Sequence, residues 1–140
     1  MKILLPVDGS SYTKRMLAWL TTHDEWLTGQ HEYTVLTVVP QIPPHAAAMF
    51  PADQLKSYYE DTAEAIFKPI RKFTAKHDLA TSYQGKIGHA PDVIAKLAEK
   101  GKYDLIIMGS HGHSNFMNLV AGSVATKVMA ACKTPVLLVR

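Results

Sequence analysis

Short apolar runs rich in branched residues alternate along this chain with longer stretches whose apolar residues recur at helical spacing. That alternation limits the fold more than any other feature. The runs are Ile3–Val7, Tyr33–Val39, Leu105–Met108 and Val136–Val139, with a weaker one at Thr81–Ile87. Each has the length and branched or aromatic content of a strand. Leu17, Leu20 and Leu27 mark a first helix, which Ser10 or Ser11 could cap. Leu55, Tyr59, Thr62, Ile66, Ile70 and Phe73 mark a second, from about Ala52 to His77, with Pro69 expected to kink it or interrupt its hydrogen bonding. The third has Pro91 in its first turn, Val93, Ile94 and Leu97 as its stripe, and Gly101 at its C′ position. The fourth begins near Ser123, carries Val124, Val128 and Met129, and stops at Lys133-Thr134-Pro135.

The order β-α-β-α-β-α-β-α-β predicts a three-layer α/β/α sandwich, residues 1–140 forming one domain: a five-stranded parallel sheet of order 3-2-1-4-5 with four helices. Near-continuous apolar strands agree, because strands buried on both faces need no polar alternation. In that order strands 1 and 4 are neighbours whose following loops run to opposite sides. Ligands bind at such a switch point, outside the carboxyl ends of the strands. Strand 1 ends at Asp8 and strand 4 at Gly109, so two polar loops are expected to meet there. The Pro40–Pro51 loop, with prolines at 40, 43, 44 and 51, reads as a connector; closure over a ligand is the other reading.

Composition narrows the class. With 47% hydrophobic and 19% charged residues, the 140-residue chain has the make-up of a soluble globular domain. No apolar run approaches the ~20 residues that span a bilayer, and no signal peptide is legible. One cysteine, Cys132, forms no internal disulfide and suits a reducing cytoplasm; helix-end packing explains it better than nucleophilic chemistry. The net charge of +3 comes from scattered lysines and arginines with no aromatic-interleaved basic cluster, so neither nucleic acid nor membrane is expected as a partner.

The segment after the fourth strand carries the chemistry. It reads Gly109-Ser110-His111-Gly112, nine residues, then Gly122-Ser123. A strand, a glycine-punctuated loop and a helix start can surround a phosphate with backbone N–H groups. The chain has no GxxxxGK(S/T) loop, no GxGxxG after a strand and no GxSxG elbow. Asp8 stands without the clustered acids a phospho-receiver needs.

The spacing G-x2-G-x9-G-S resembles the adenine-nucleotide-binding motif of the universal stress protein family. The likeness covers the whole chain: Ile3-Leu4-Leu5-Pro6-Val7-Asp8-Gly9-Ser10, Gly88-His89-Ala90-Pro91-Asp92-Val93-Ile94, Tyr103–Ser110 and Thr134–Val139 resemble further blocks of that family in the same order. The resemblance implies these roles. Asp8 would hydrogen-bond the ribose or adenine, with Pro6 and Val7 nearby. Val38 or Val39 would pack against the base. Gly109, His111 and Gly112 would line the ribose–phosphate side, Met108 and His113 would belong to the same binding site, and Gly122, Ser123 and Val124 would present N–H groups and a hydroxyl to phosphate. Taken singly, Asp8 is equally a helix cap or an Asx-turn residue, Ser123 an ordinary N-cap, and Gly109 and Gly112 turn formers.

Members that hold a triphosphate commonly carry Lys or Arg in the nine-residue interval. Here it is His113-Ser114-Asn115-Phe116-Met117-Asn118-Leu119-Val120-Ala121. AMP, ADP or weakly held ATP all stay open, with Mg2+ brought by the nucleotide. His111-x-His113 without a Cys or carboxylate partner is a poor zinc set. The expectation is an adenine-nucleotide-binding regulatory or protective module of the stress response. A slow ATPase using the same pocket and a nucleotide-free interaction module are the alternatives. Because the last strand, Val136, Leu137, Leu138 and Val139, lies at a sheet edge, a homodimer through it is expected.

Overall fold

Five parallel strands form one sheet in the order β3-β2-β1-β4-β5. The structure is a computed structural model that describes residues 1–113 and 120–140. In chain order the elements are β1 (Lys2–Pro6), α1 (Ser11–Thr21), β2 (Glu32–Val39), α2 (Pro44–Ala47), α3 (Ala52–Lys76), β3 (Thr81–Ile87), α4 (Ala90–Lys100), β4 (Leu105–Gly109), α5 (Ser123–Ala131) and β5 (Val136–Val139). β1 is central, pairing Ile3 with Tyr33 on one side and with Leu105 on the other.

Alternate side chains of the central strands feed two cores, which is why these strands read as unbroken apolar runs. Ile3, Leu5, Val35 and Val39 face α1 and α3, meeting Met16, Leu20, Phe67 and Ile70. Leu4, Leu36, Ile106 and Met108 face α4 and α5, meeting Ile94, Ala98, Ala125 and Val128. Ile3, Leu4, Leu5, Leu20, Leu36 and Ile106 are fully buried, each worth about 1.5–3 kcal/mol relative to exposure. β3 departs from this pattern: it is an edge strand with Ser82, Gly85, Lys86 and Ile87 exposed.

Three expectations are corrected in detail. The described residues hold five helices, not four: Pro43 and Pro44 seed the one-turn α2 inside the loop read as a connector, because proline is pre-set for a helix's first turn. Leu27 lies outside α1. The helix ends at Thr21, and a single 3-10 turn, Asp24–Trp26, intervenes. α3 runs through Pro69 over Ala52–Lys76, the span expected of it. Phe67 and Ile70, buried on either side, anchor it, while the missing amide falls on the exposed face, where water can satisfy the freed carbonyl. Gly101 has φ −79°, and the left-handed residue after α4 is Lys102 at φ 53°. Glycine is needed at 101 for space: a β-carbon there would lie 2.5 Å from Tyr103 Cε2 and 2.8 Å from the Leu97 oxygen.

Candidate functional site

The loops leaving β1 and β4 enclose a cavity of about 240 Å3 at the carboxyl ends of those strands, walled by α4 and α5. Its polar side begins with Asp8. Oδ1 accepts the Ser10 amide at 2.9 Å and the Thr13 hydroxyl at 3.0 Å, and Thr13 Oγ1 in turn accepts the Asp8 amide at 3.2 Å. This is an Asx-turn at the start of α1. Gly9, at φ 76°, adopts the left-handed conformation that lets the chain turn there. The second oxygen faces across the cavity: a β-carbon on Gly112 would come within 2.6 Å of Asp8 Oδ2. Asp8 therefore spends one oxygen on the turn and holds the other toward the opposite loop.

That loop is shaped by three close approaches. A β-carbon on Gly109 would sit 2.7 Å from Tyr12 Cβ and 3.2 Å from its carbonyl carbon, so glycine lets α1 lie against the end of β4. The Gly122 amide donates to the Ser110 oxygen at 2.6 Å, and a β-carbon on Gly122 would meet His111 Cα at 3.1 Å. The two halves of the glycine motif are thus clasped against one another. His113 Nε2 donates to the Asp8 carbonyl at 2.7 Å, joining the two loops. The His111 ring lies 5.1 Å from the Tyr12 ring, its Nδ1 2.9 Å from Ser110 Oγ.

α5 supplies the donors. Its N-cap is Gly122, in extended conformation, and Ser123 is the first helical residue rather than the cap. The first intrahelical bond runs from the Thr126 amide to the Gly122 oxygen. The amides of Ser123, Val124 and Ala125 are the helix's orphan donors, and all three residues line the cavity. The helix dipole adds partial positive charge at the same point. Pro6, Leu36, Val38, Ile94 and Met108 supply the apolar wall.

Of the residues singled out in the sequence, Pro6, Val7, Asp8, Val38, Met108, Gly109, His111, Gly112, His113, Gly122, Ser123 and Val124 all line this cavity. Val39 does not. Strand alternation turns it to the α3 face, where it lines a second hollow. Residues 114–119 of the nine-residue interval lie outside the described residues. Thr13, Leu36, Ala90, Ile94, Ser110 and Ala125 also line the cavity and were not anticipated. Thr13, at the first turn of a helix that follows an acidic loop, was the legible one; Leu36 and Ile94 were indistinguishable from core.

Chemically, the cavity offers an apolar slot, one outward carboxylate oxygen, two histidines and a cluster of amide donors. No Lys or Arg is among the described lining residues. Ser110, beside His111, is fully buried. Among the described residues no three His, Cys, Asp or Glu side chains gather as a metal set, and no helix is long and apolar enough to cross a membrane.

The model of the universal stress protein family matches residues 1–140. A universal stress protein of Synechocystis sp. is 27% identical over 99% of this chain, which spans 42% of that longer protein. One from Thermus aquaticus is 30% identical, covering 99% of this chain and 97% of its own. A solved Methanocaldococcus jannaschii protein of the family superposes with TM-score 0.83 at 28% identity, over 99% of this chain and 94% of that one. Two more distant structures share the fold alone: an Arabidopsis thaliana family protein with AMP bound (13% identity, 99% and 90% coverage, TM-score 0.71) and an Archaeoglobus fulgidus universal stress protein with dAMP (17% identity, 100% and 98% coverage, TM-score 0.65).

Proposed function

The chain belongs to the universal stress protein family, and from that premise we propose that it binds an adenine nucleotide in the β1–β4 cavity, serving as a cytoplasmic regulatory or protective module of the stress response. One observation carries the reading: a carboxylate oxygen and three orphan helix amides converge on one apolar-walled cavity at the switch point of the sheet. A nucleotide presents the complement, with hydroxyl donors for Asp8 Oδ2, a flat ring for Val38 and Ile94, and phosphate oxygens for the amides of Ser123, Val124 and Ala125. The AMP and dAMP complexes of proteins with this fold support the adenine base. Mg2+, where present, arrives with the nucleotide. His111 and His113 stand where phosphate would pass, and the absence of Lys and Arg from the interval 113–121 favours a short phosphate tail over a tightly held triphosphate.

The second part of the proposal is a homodimer through β5. The Ile106 amide donates to the Pro135 oxygen and the Ser110 amide to the Val139 oxygen, so the backbone groups of Val136 and Leu138 point off the open edge. A second copy pairing there covers an apolar strand.

Mass spectrometry of ligand released from freshly purified, denatured protein, with calorimetry against AMP, ADP and ATP, tests the nucleotide. Recovered adenine nucleotide and saturable heat are expected. No ligand and no heat with all three would leave a nucleotide-free interaction module. Sizing with light scattering tests the assembly: deletion of Val136–Arg140 is expected to give monomers or insoluble protein, and a soluble, unchanged dimer refutes β5 pairing.

A further inference from the structure

The opposite edge of the sheet carries a second feature, independent of the nucleotide cavity. The Tyr33 amide donates to the Ala80 oxygen and the Gly88 amide to the Val39 oxygen. In a parallel ladder that assigns the backbone groups of the even-numbered residues 80–88 to β2. The N–H and C=O groups of Thr81, Tyr83, Gly85 and Ile87 therefore point off the free edge, and no described residue bonds them. Beside this edge lies a hollow of about 650 Å3 between α3 and β3. Leu55, Tyr59, Ala63 and Phe67 give it an apolar floor, and Ile87, half exposed, stands at one end.

We propose that the free edge of β3 and the adjoining α3 groove form a docking site for an extended peptide segment of a partner protein, apolar at alternate positions and carrying a carboxylate for Lys86. The unused ladder selects an extended backbone, since only a strand supplies donors and acceptors at the same repeat. Alternate side chains of such a strand fall on the groove side. Charge selects the rest. Along α3 the groove is rimmed by Lys56, Glu60, Glu64 and Arg71, but these are already paired, Lys56 with Glu60 at 3.9 Å and Arg71 with Glu64 at 3.2 Å. Lys86 has no ion-pair partner among the described residues, so an acidic group on the incoming segment is the complementary one.

Selection of a random heptapeptide display library on the immobilised full chain tests this. The expected winners alternate apolar residues and contain at least one Asp or Glu. A fluorescein-labelled synthetic winner should lose about tenfold or more in affinity to Ile87→Pro, which removes one outward amide and leaves the β2 ladder intact, and a similar factor to Lys86→Glu. Amide exchange should slow on binding at Tyr83, Gly85 and Ile87 in the intact protein. No enrichment over the naive library, or winners that bind both variants unchanged, overturns the proposal. So does a fall in solution mass in Ile87→Pro, which would give the edge to a second copy. Should Ile87→Pro fail to fold, Lys86→Glu, a surface change, and the exchange pattern decide.

Discussion

Gly112→Ala places a methyl group where the site has no room. Its β-carbon would lie 2.6 Å from Asp8 Oδ2, where 3.4–4 Å is ordinary contact. Two responses are open. Turning the carboxylate misaligns the bonds that Oδ1 accepts from the Ser10 amide and Thr13 hydroxyl. Withdrawing the β4 loop stretches the 2.7 Å link from His113 to the Asp8 carbonyl. Either way Oδ2 leaves its place, and a bound nucleotide loses a charge-assisted hydrogen bond worth about 1.5–3 kcal/mol, a 10- to 150-fold rise in Kd. Calorimetry with AMP at fixed salt and pH measures it, with Asp8→Ala and the double variant completing a cycle. If Gly112 acts through Asp8, the double variant binds no worse than Asp8→Ala alone. A Gly112→Ala Kd within twofold of wild type, or losses that simply add, refutes the reasoning.

Three further outcomes are expected. Gly109→Ala drives a β-carbon into Tyr12, including its backbone, and should lower stability by about 1–3 kcal/mol as overpacking does; chemical denaturation reads it, and an unchanged midpoint refutes the contact. Thr13→Val removes the hydroxyl that braces the Asp8 carboxylate and should weaken AMP by about three- to tenfold as Asp8 loses part of its support, with unchanged affinity as the contrary result. Burial pushes the Tyr33 hydroxyl up to about 12 from 10.0. The unfolded chain then releases this proton first, so the contribution is intact below pH 10 and is lost as pH rises from 10 through 12. Tyr33→Phe, which also loses the bond to the Trp26 carbonyl, should flatten that slope in alkaline denaturation; a slope identical to wild type is the refuting result.

How much of this was legible in the sequence varied with the kind of force involved. Strand order and layers followed from burial on two faces, which leaves a one-dimensional signature in runs such as Leu105–Met108. The glycine spacing located the cavity because close backbone approach demands glycine at fixed points. Features that depend on distant neighbours were not legible. Val38 and Val39 are adjacent and chemically alike, and only register assigns one to each face. Gly101 looked like a left-handed cap, yet it is required by Tyr103, which packs over it. Ser123 has the chemistry of an N-cap, but the helix begins at Ser123 as expected, and the cap is Gly122, whose amide bonds the Ser110 oxygen. Pro69 lies inside α3 without ending it, and Phe67 and Ile70 on either side are buried.

The central position of β1 also sets a schedule. Its partner β4 is encoded about 100 residues later, so at ribosomal rates of ~5–20 residues per second roughly 5–20 s separate the two strands' emergence. Through that interval one side of β1 and the loop bearing Asp8 await their partners. The cavity between the β1 and β4 loops is thus among the last parts of the molecule to exist, and no nascent fragment lacking β4 and α5 encloses it.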